Sequence, residues 1–186
     1  MKRKSILAAA LALGLAVLAA PAFASEKLFI ISPTAGWYMP TDSKTQNAFG
    51  RSWFQLGVSV NLSALGLSSG RGEFKLSPYF GYYHANENGN DADIIPLGLE
   101  MRWRLPHADR DFSPYLGVGA ALYGVRFEDR GAGVDTGWRS AVGGRIAIGA
   151  DVTKWFTLQA AYNYVSDVQG YDLSGFSVTG KLNIYF

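Results

Sequence analysis

The sequence predicts an all-β chain: an eight-stranded, antiparallel, up-and-down transmembrane β-barrel preceded by a cleaved signal peptide. Three observations predict it. First, residues 176–186 alternate, with Phe176, Val178, Leu182, Ile184 and Phe186 on one face and Ser177, Thr179, Lys181, Asn183 and Tyr185 on the other. A barrel strand crosses a bilayer with about 9–11 such residues, apolar toward lipid and polar toward the lumen. Second, the same period-two pattern recurs along the chain, and no segment after residue 24 has the apolar run of a spanning helix. Third, the first residues read as an export signal.

Lys2, Arg3 and Lys4 precede an Ala/Leu-rich apolar run over residues 6–20. Pro21 breaks that run, and Ala22-Phe23-Ala24 is a small-x-small cleavage pattern. Cleavage after Ala24 divides the chain into a signal peptide, residues 1–24, and a barrel domain, residues 25–186. The run is short for an uncleaved membrane anchor. There is no cysteine to carry a lipid, form a disulfide or supply a thiolate.

The whole chain has 17 Lys and Arg against 15 Asp and Glu. The signal peptide holds three of the basic residues and none of the acidic ones, which leaves 14 against 15 and a net charge of −1. The basic character belongs to the export signal, so no nucleic-acid surface is expected. By length, the remaining 162 residues form one domain, and no appended peptidoglycan-binding module is expected.

Eight strands follow in order. The first covers 29–39, with Ile31, Pro33, Ala35 and Trp37 on one face. The second, 53–62, alternates Phe54, Leu56, Val58, Val60 and Leu62 with Gln55, Gly57, Ser59 and Asn61. The third covers 74–83. The fourth, 94–104, sets Ile95, Leu97, Leu99, Met101 and Trp103 against Pro96, Gly98, Glu100, Arg102 and Arg104. The glycine-rich fifth covers 113–127. The sixth, 138–152, alternates Val142, Ile146 and Ile148 with Arg139, Arg145 and Gly149. The seventh, 156–165, alternates Phe156, Leu158, Ala160, Tyr162 and Tyr164 with Thr157, Gln159, Ala161 and Asn163. The eighth is the terminal strand. These are half-buried strands by their period.

Composition decides which face is outside. A soluble ligand-carrying barrel would put its apolar face inward and a Lys/Glu-rich face in water. Here the polar face is Gly, Ser, Gln, Asn and Thr with a few Arg and Glu, which suits the narrow lumen of an eight-stranded barrel. The apolar face carries Trp37, Phe54, Trp103, Phe156, Tyr164 and Phe176 near strand ends, as expected for aromatic belts at two membrane interfaces. With an even strand number and both ends in the periplasm, connections 40–52, 84–93, 128–137 and 166–174 face the exterior. Connections 63–73, 105–112 and 153–155 face the periplasm.

Three stretches carry a family resemblance: Gly36-Trp37-Tyr38-Met39-Pro40-Thr41-Asp42, Ser113-Pro114-Tyr115-Leu116-Gly117-Val118-Gly119-Ala120, and Gly170-Tyr171-Asp172-Leu173-Ser174-Gly175-Phe176. With them the barrel domain resembles the small outer-membrane β-barrel proteins, the group of the OmpX-like proteins and the membrane domain of OmpA. The resemblance implies the outer membrane of a Gram-negative cell and Sec-type export. It also implies periplasmic chaperones and the barrel-assembly machinery as biogenesis partners, with Tyr185 and Phe186 as the assembly signal. Outer-membrane lipid and lipopolysaccharide are the expected surroundings. The expected role is structural, protective or adhesive, and the expected state a monomer.

Glu100, Arg102, Arg104, Arg139, Arg145 and Lys181 are predicted to face the lumen. Unpaired charges there are costly, so a salt-bridge network is expected. The alternative is a gated narrow channel, with Glu100 and Arg145 as a switchable pair and a preference for anions. A lipid A-modifying enzyme would need a nucleophile and a base at the outer leaflet. His107 lies in a predicted periplasmic turn. His84 lies at an outer strand end near no evident nucleophile, and no His-x-Ser pattern like that of the lipid deacylases is present. Asn86, Glu87, Asn88, Asn90, Asp91 and Asp93 form an oxygen-rich segment without the spacing of a calcium loop. No catalytic residue, cofactor or metal is expected.

Overall fold

A computed structural model describes residues 29–69, 72–87, 89–105 and 112–186. The predicted signal peptide, Asn88 and His107 lie outside them. The strands are β1 (Phe29–Pro40), β2 (Trp53–Ser69), β3 (Gly72–Glu87), β4 (Asn90–Arg104), β5 (Ser113–Asp129), the two-residue β6 (Val134–Asp135), β7 (Arg139–Thr153), β8 (Phe156–Val165), β9 (Gly175–Leu182) and β10 (Ile184–Tyr185). Each pairs antiparallel with its neighbour, and β1 closes the sheet on β9 and β10. β6 only folds back on the end of β5, and β9 with β10 is one strand interrupted at Asn183. The result is a closed barrel of eight walls, which leaves no sheet edge to be desolvated in lipid.

The alternation decides the faces. Large side chains point outward along every wall, Trp37 60% exposed, Leu122 60%, Val142 61% and Ile146 66%. In water such a surface would be a continuous apolar liability; in hydrocarbon it is the solvated face. Gln55, Ser59, Glu100, Arg145, Gln159, Thr179 and Lys181 are buried on the inward face.

Several strands are longer than predicted. β2 and β3 extend to Ser69 and from Gly72, with a register shift between Leu62 and Leu67. The segment 84–93, expected as an outer loop, is mostly ladder. His84 pairs with Asp93, Ala85 with Ala92 and Asn86 with Asp91, and the chain turns near Gly89 at φ 80°. Polar outward side chains made it read as a loop, yet they bond across the strands, Asn86 Nδ2 donating to Asp91 Oδ1 at 2.6 Å.

The first connection holds a helix that the strand pattern did not indicate, α1 (Ser43–Phe49). Asp42 caps it, accepting from Thr45 N–H at 2.8 Å, and Gly50 ends it at φ 86°. α1 lies on the rim opposite the chain ends.

Candidate functional site in the barrel lumen

The lumen is filled in three layers. At its middle sits Glu100 of β4, 1% exposed. Arg102 Nε donates to Glu100 Oε1 at 2.6 Å, and Arg145 Nε of β7 lies 3.2 Å from Oε2. Gln159 Nε2 of β8 donates to both carboxylate oxygens at 3.2 and 3.1 Å, while its Oε1 accepts from Arg145 Nη2 at 3.2 Å. Asn61 Oδ1 accepts from Arg102 Nη1 at 3.0 Å and from the Ser77 hydroxyl. The two guanidinium groups lie over aromatic rings, Arg102 5.3 Å from Tyr115 and Arg145 5.0 Å from Tyr79. β4, β7 and β8 thus meet at one carboxylate, and β2 and β3 brace its Arg102 partner through Asn61 and Ser77.

Toward the rim of the chain ends, Arg104 pairs with Asp151 and reaches Glu73 at 3.4 Å, and Lys75 pairs with Glu73 at 3.3 Å. Thr157 donates to Asp151 at 2.6 Å, Asn183 to Thr157 at 2.9 Å, and Ser32 to Asn183 at 2.8 Å. A cavity of about 30 Å³ opens among Asn61, Arg102, Arg104, Tyr115, Asp151 and Asn183.

Toward the opposite rim the lumen is aromatic. Tyr38, Trp53, Tyr83, Tyr123 and Phe127 point inward, and Phe49 of α1 is buried against Phe127 at 5.4 Å and Tyr171 at 5.6 Å. Tyr38 donates to the Leu173 carbonyl, and Tyr38 and Tyr83 stack at 4.9 Å. Lys44 holds α1 to the β8–β9 connection, donating to Gly170 O at 3.0 Å with its ammonium 4.0 Å above the Tyr171 ring. Asn90 Nδ2 donates to Ala48 O at 2.9 Å from the β4 side.

Carboxylates fix this lid electrostatically. The Thr45 backbone N–H holds Asp42 below its usual range. The Tyr171 hydroxyl, 2.6 Å away, and the Ala132 N–H do the same for Asp129. Burial, then the Asp129 hydrogen bond, pushes the Tyr171 hydroxyl up to about 12.

Of the six residues predicted for the lumen, Glu100, Arg102 and Arg145 meet in one cluster, and Arg104 joins the separate Asp151–Glu73 group. Lys181 is buried on β9, in register with Thr157 and Thr34. Arg139 requires a correction. It has the inward parity of β7 but is exposed at the α1 rim, where its Nε donates to Thr136 O at 3.1 Å. Parity sets a side chain's face and not its depth, and Arg139 is the first residue of its strand.

Trp37, Phe54, Tyr164 and Phe176 point outward toward the α1 rim, and Trp103 and Phe156 toward the rim of the chain ends. Tyr185 packs edge-on against Trp155 at 5.6 Å, and Phe186 is exposed. His84 has a partner that sequence reasoning missed: its Nδ1 lies 2.9 Å from Asp93 Oδ1, which also accepts from the Tyr82 hydroxyl at 2.6 Å. Among the described residues no hydroxyl nucleophile bonds to His84, and no three carboxylates or histidines are grouped to hold a metal. The inward aromatics also went unread, because Tyr38, Trp53 and Tyr83 occupy positions that the alternation assigns to polar residues.

Solved structures share the fold, among them Neisserial surface protein A and the outer membrane enzyme PagL. Neisserial surface protein A aligns with a TM-score of 0.65 at 15% identity, covering 85% of this chain and 97% of that one. The outer membrane enzyme PagL aligns with a TM-score of 0.55 at 12% identity, covering 83% and 98%. At these identities the likeness concerns the fold alone. No curated protein matches the sequence. The family model of the outer membrane protein beta-barrel domain matches residues 9–183, and the chain belongs to that family.

Proposed function

We propose that this protein is a non-catalytic outer-membrane barrel that contributes to envelope integrity or to surface contact through its α1 rim. One observation carries the reading: the lumen is obstructed twice, by the Glu100–Arg102–Arg145–Gln159 cluster and by the aromatic layer under α1. A side-chain-filled interior suits a scaffold better than a conduit. Its surroundings are outer-membrane lipid and lipopolysaccharide, its biogenesis partners periplasmic chaperones and the barrel-assembly machinery, and its working state a monomer. Reconstitution into planar bilayers tests this. No stepwise conductance is expected, and porin-like steps would refute the scaffold reading.

A narrow anion-favouring channel has the excess of basic lumen side chains in its favour. A lipid A-modifying enzyme has the His84–Asp93 pair in its favour. Lipid A mass spectra that are identical with and without the gene would dispose of the enzyme.

A further inference from the structure

We propose that Asn61 and Asn183 are latches that hold two proline-broken seams of the wall shut from the lumen side, so that the polar filling and the wall open and close as one unit. A closed barrel has no edge on which a strand proline can face solvent, and a proline has no N–H to give to a neighbouring strand. Pro33 of β1 and Pro78 of β3 nevertheless sit inside the wall, both on its outward face. Each pairs normally on one side, Pro33 with Val58 and Pro78 with Leu99. On the other side the ladder lapses over two residue pairs. At the closing seam it stops at Thr34–Lys181 and resumes at Ile31–Ile184. Between β2 and β3 it stops at Ser59–Tyr79 and resumes at Leu62–Leu76. A wall in hydrocarbon has no water to make good such a lapse.

The same side-chain bond fills both gaps. A serine precedes each proline, and the register sets an asparagine directly opposite it. Buried Ser32 donates to Asn183 Oδ1 at 2.8 Å, and buried Ser77 donates to Asn61 Oδ1. Each asparagine is tied in turn to an arginine of β4. Asn61 Oδ1 accepts from Arg102 Nη1 at 3.0 Å. Asn183 Nδ2 donates to Thr157, Thr157 donates to Asp151, and Asp151 pairs with Arg104. The ladder of β4 with β5 runs unbroken from Asp91–Glu128 to Arg104–Tyr115, so β4 braces both seams from within the lumen. A third proline follows the rule from the opposite face. Pro96 is buried, and the β3–β4 ladder lapses between Phe80–Leu97 and Tyr83–Ile94. The cross-strand bond beside that gap is on the outer face, Tyr82 donating to Asp93 at 2.6 Å.

Native-state amide hydrogen exchange of the barrel in detergent micelles tests this. Asn61→Leu should speed exchange about tenfold over 58–62 and 76–80, the scale of one lost buried hydrogen bond, and leave the β4–β5 ladder protected. Pro78→Val returns an N–H to the ladder and keeps an apolar side chain on the outer face, so on the Asn61→Leu background it should cancel most of that increase. Pro33→Val should do the same for Asn183→Leu over 30–34 and 181–185. Arg102→Met should loosen the β2–β3 seam and spare the closing seam, which hangs on Arg104. Pro78→Val alone should slow exchange at the β2–β3 seam relative to the unsubstituted protein, so the proposal stays testable if an asparagine variant fails to fold. Exchange that rises evenly over the whole barrel in Asn61→Leu would overturn it. So would an increase that Pro78→Val leaves unchanged, or a β2–β3 seam indifferent to Arg102→Met.

Discussion

Tyr115 on β5 stands directly opposite Gly149 on β7 and covers it: a Cβ built on Gly149 would fall 2.5 Å from the phenol oxygen and 2.7 Å from Cε1. The same relationship joins Tyr79 on β3 to Gly98 on β4, where a Cβ would lie 2.6 Å from the phenol oxygen. An eight-stranded lumen is wide enough for side chains only where large faces small. The ring also shields glycine backbone that would otherwise be bare. These two tyrosines are the ones whose faces meet Arg102 and Arg145. The glycines therefore set the positions of the rings that flank the ion cluster.

Gly149→Ala should accordingly destabilise the barrel by about 1–3 kcal/mol, the usual cost of overpacking, because a buried ring must move. Gly144→Ala, also on β7, is the control. Its Cβ would meet nothing closer than 3.6 Å, and it faces outward beside Ile146. Urea unfolding of the refolded barrel measures both. Equal midpoints for the two variants would show that the Tyr115 ring moves aside without cost.

Among the described residues, Glu100 is the only carboxylate shared by Arg102 and Arg145. Glu100→Ala leaves both guanidinium groups buried without it, and a loss of about 3–5 kcal/mol is expected from breaking a buried pair. Arg139→Ala should stay within about 0.5 kcal/mol, as surface substitutions do, since Arg139 is exposed and its side chain, among the described residues, bonds only a carbonyl. The pair of variants discriminates between depth and parity. A large loss at Arg139 would place it functionally in the network despite its position.

Much of the wall was readable from alternation alone. Leu97, Leu99 and Met101 point outward and Glu100 and Arg102 inward as their spacing demands, because a strand's period is 2. Depth was less readable. Arg139 and Arg145 share a face, but where the strand leaves the membrane depends on its tilt and on its neighbours' register. The Tyr–Gly pairs were hidden for a related reason: Tyr115 and Gly149 are far apart in sequence and meet only once β5 and β7 are aligned. α1 left a local trace in the Asp42–Thr45 cap and in Gly50, but a seven-residue helix between two strands leaves no hydrophobic period to detect. His84 and Asp93 looked like loop residues because lipid-facing apolar alternation ends just before them.

The lid should loosen in acid. Asp42 and Asp129 both have carboxyls held below the ordinary value of 3.8 by hydrogen bonds made only in the folded state. A carboxylate whose value is depressed on folding contributes stability above its unfolded value. That contribution is lost as pH falls from there through the folded one. The window therefore opens just below pH 4 and closes at the lower folded values. Within it the opened segment takes up the protons while folded Asp42 and Asp129 are still ionised, and only below the folded values is the charge that accepts from Thr45 N–H and from Tyr171 lost. Amide hydrogen exchange, corrected for its intrinsic pH dependence, should show protection falling first in 43–50 and 168–172 while the β4–β5 ladder stays protected. Asp42→Ala should reproduce the loss over 43–50 at neutral pH, by about 1 kcal/mol of cap stability, and leave no further acid response of that cap. Simultaneous loss of protection in the lid and in β4–β5 would mean that the lid opens only with the whole barrel.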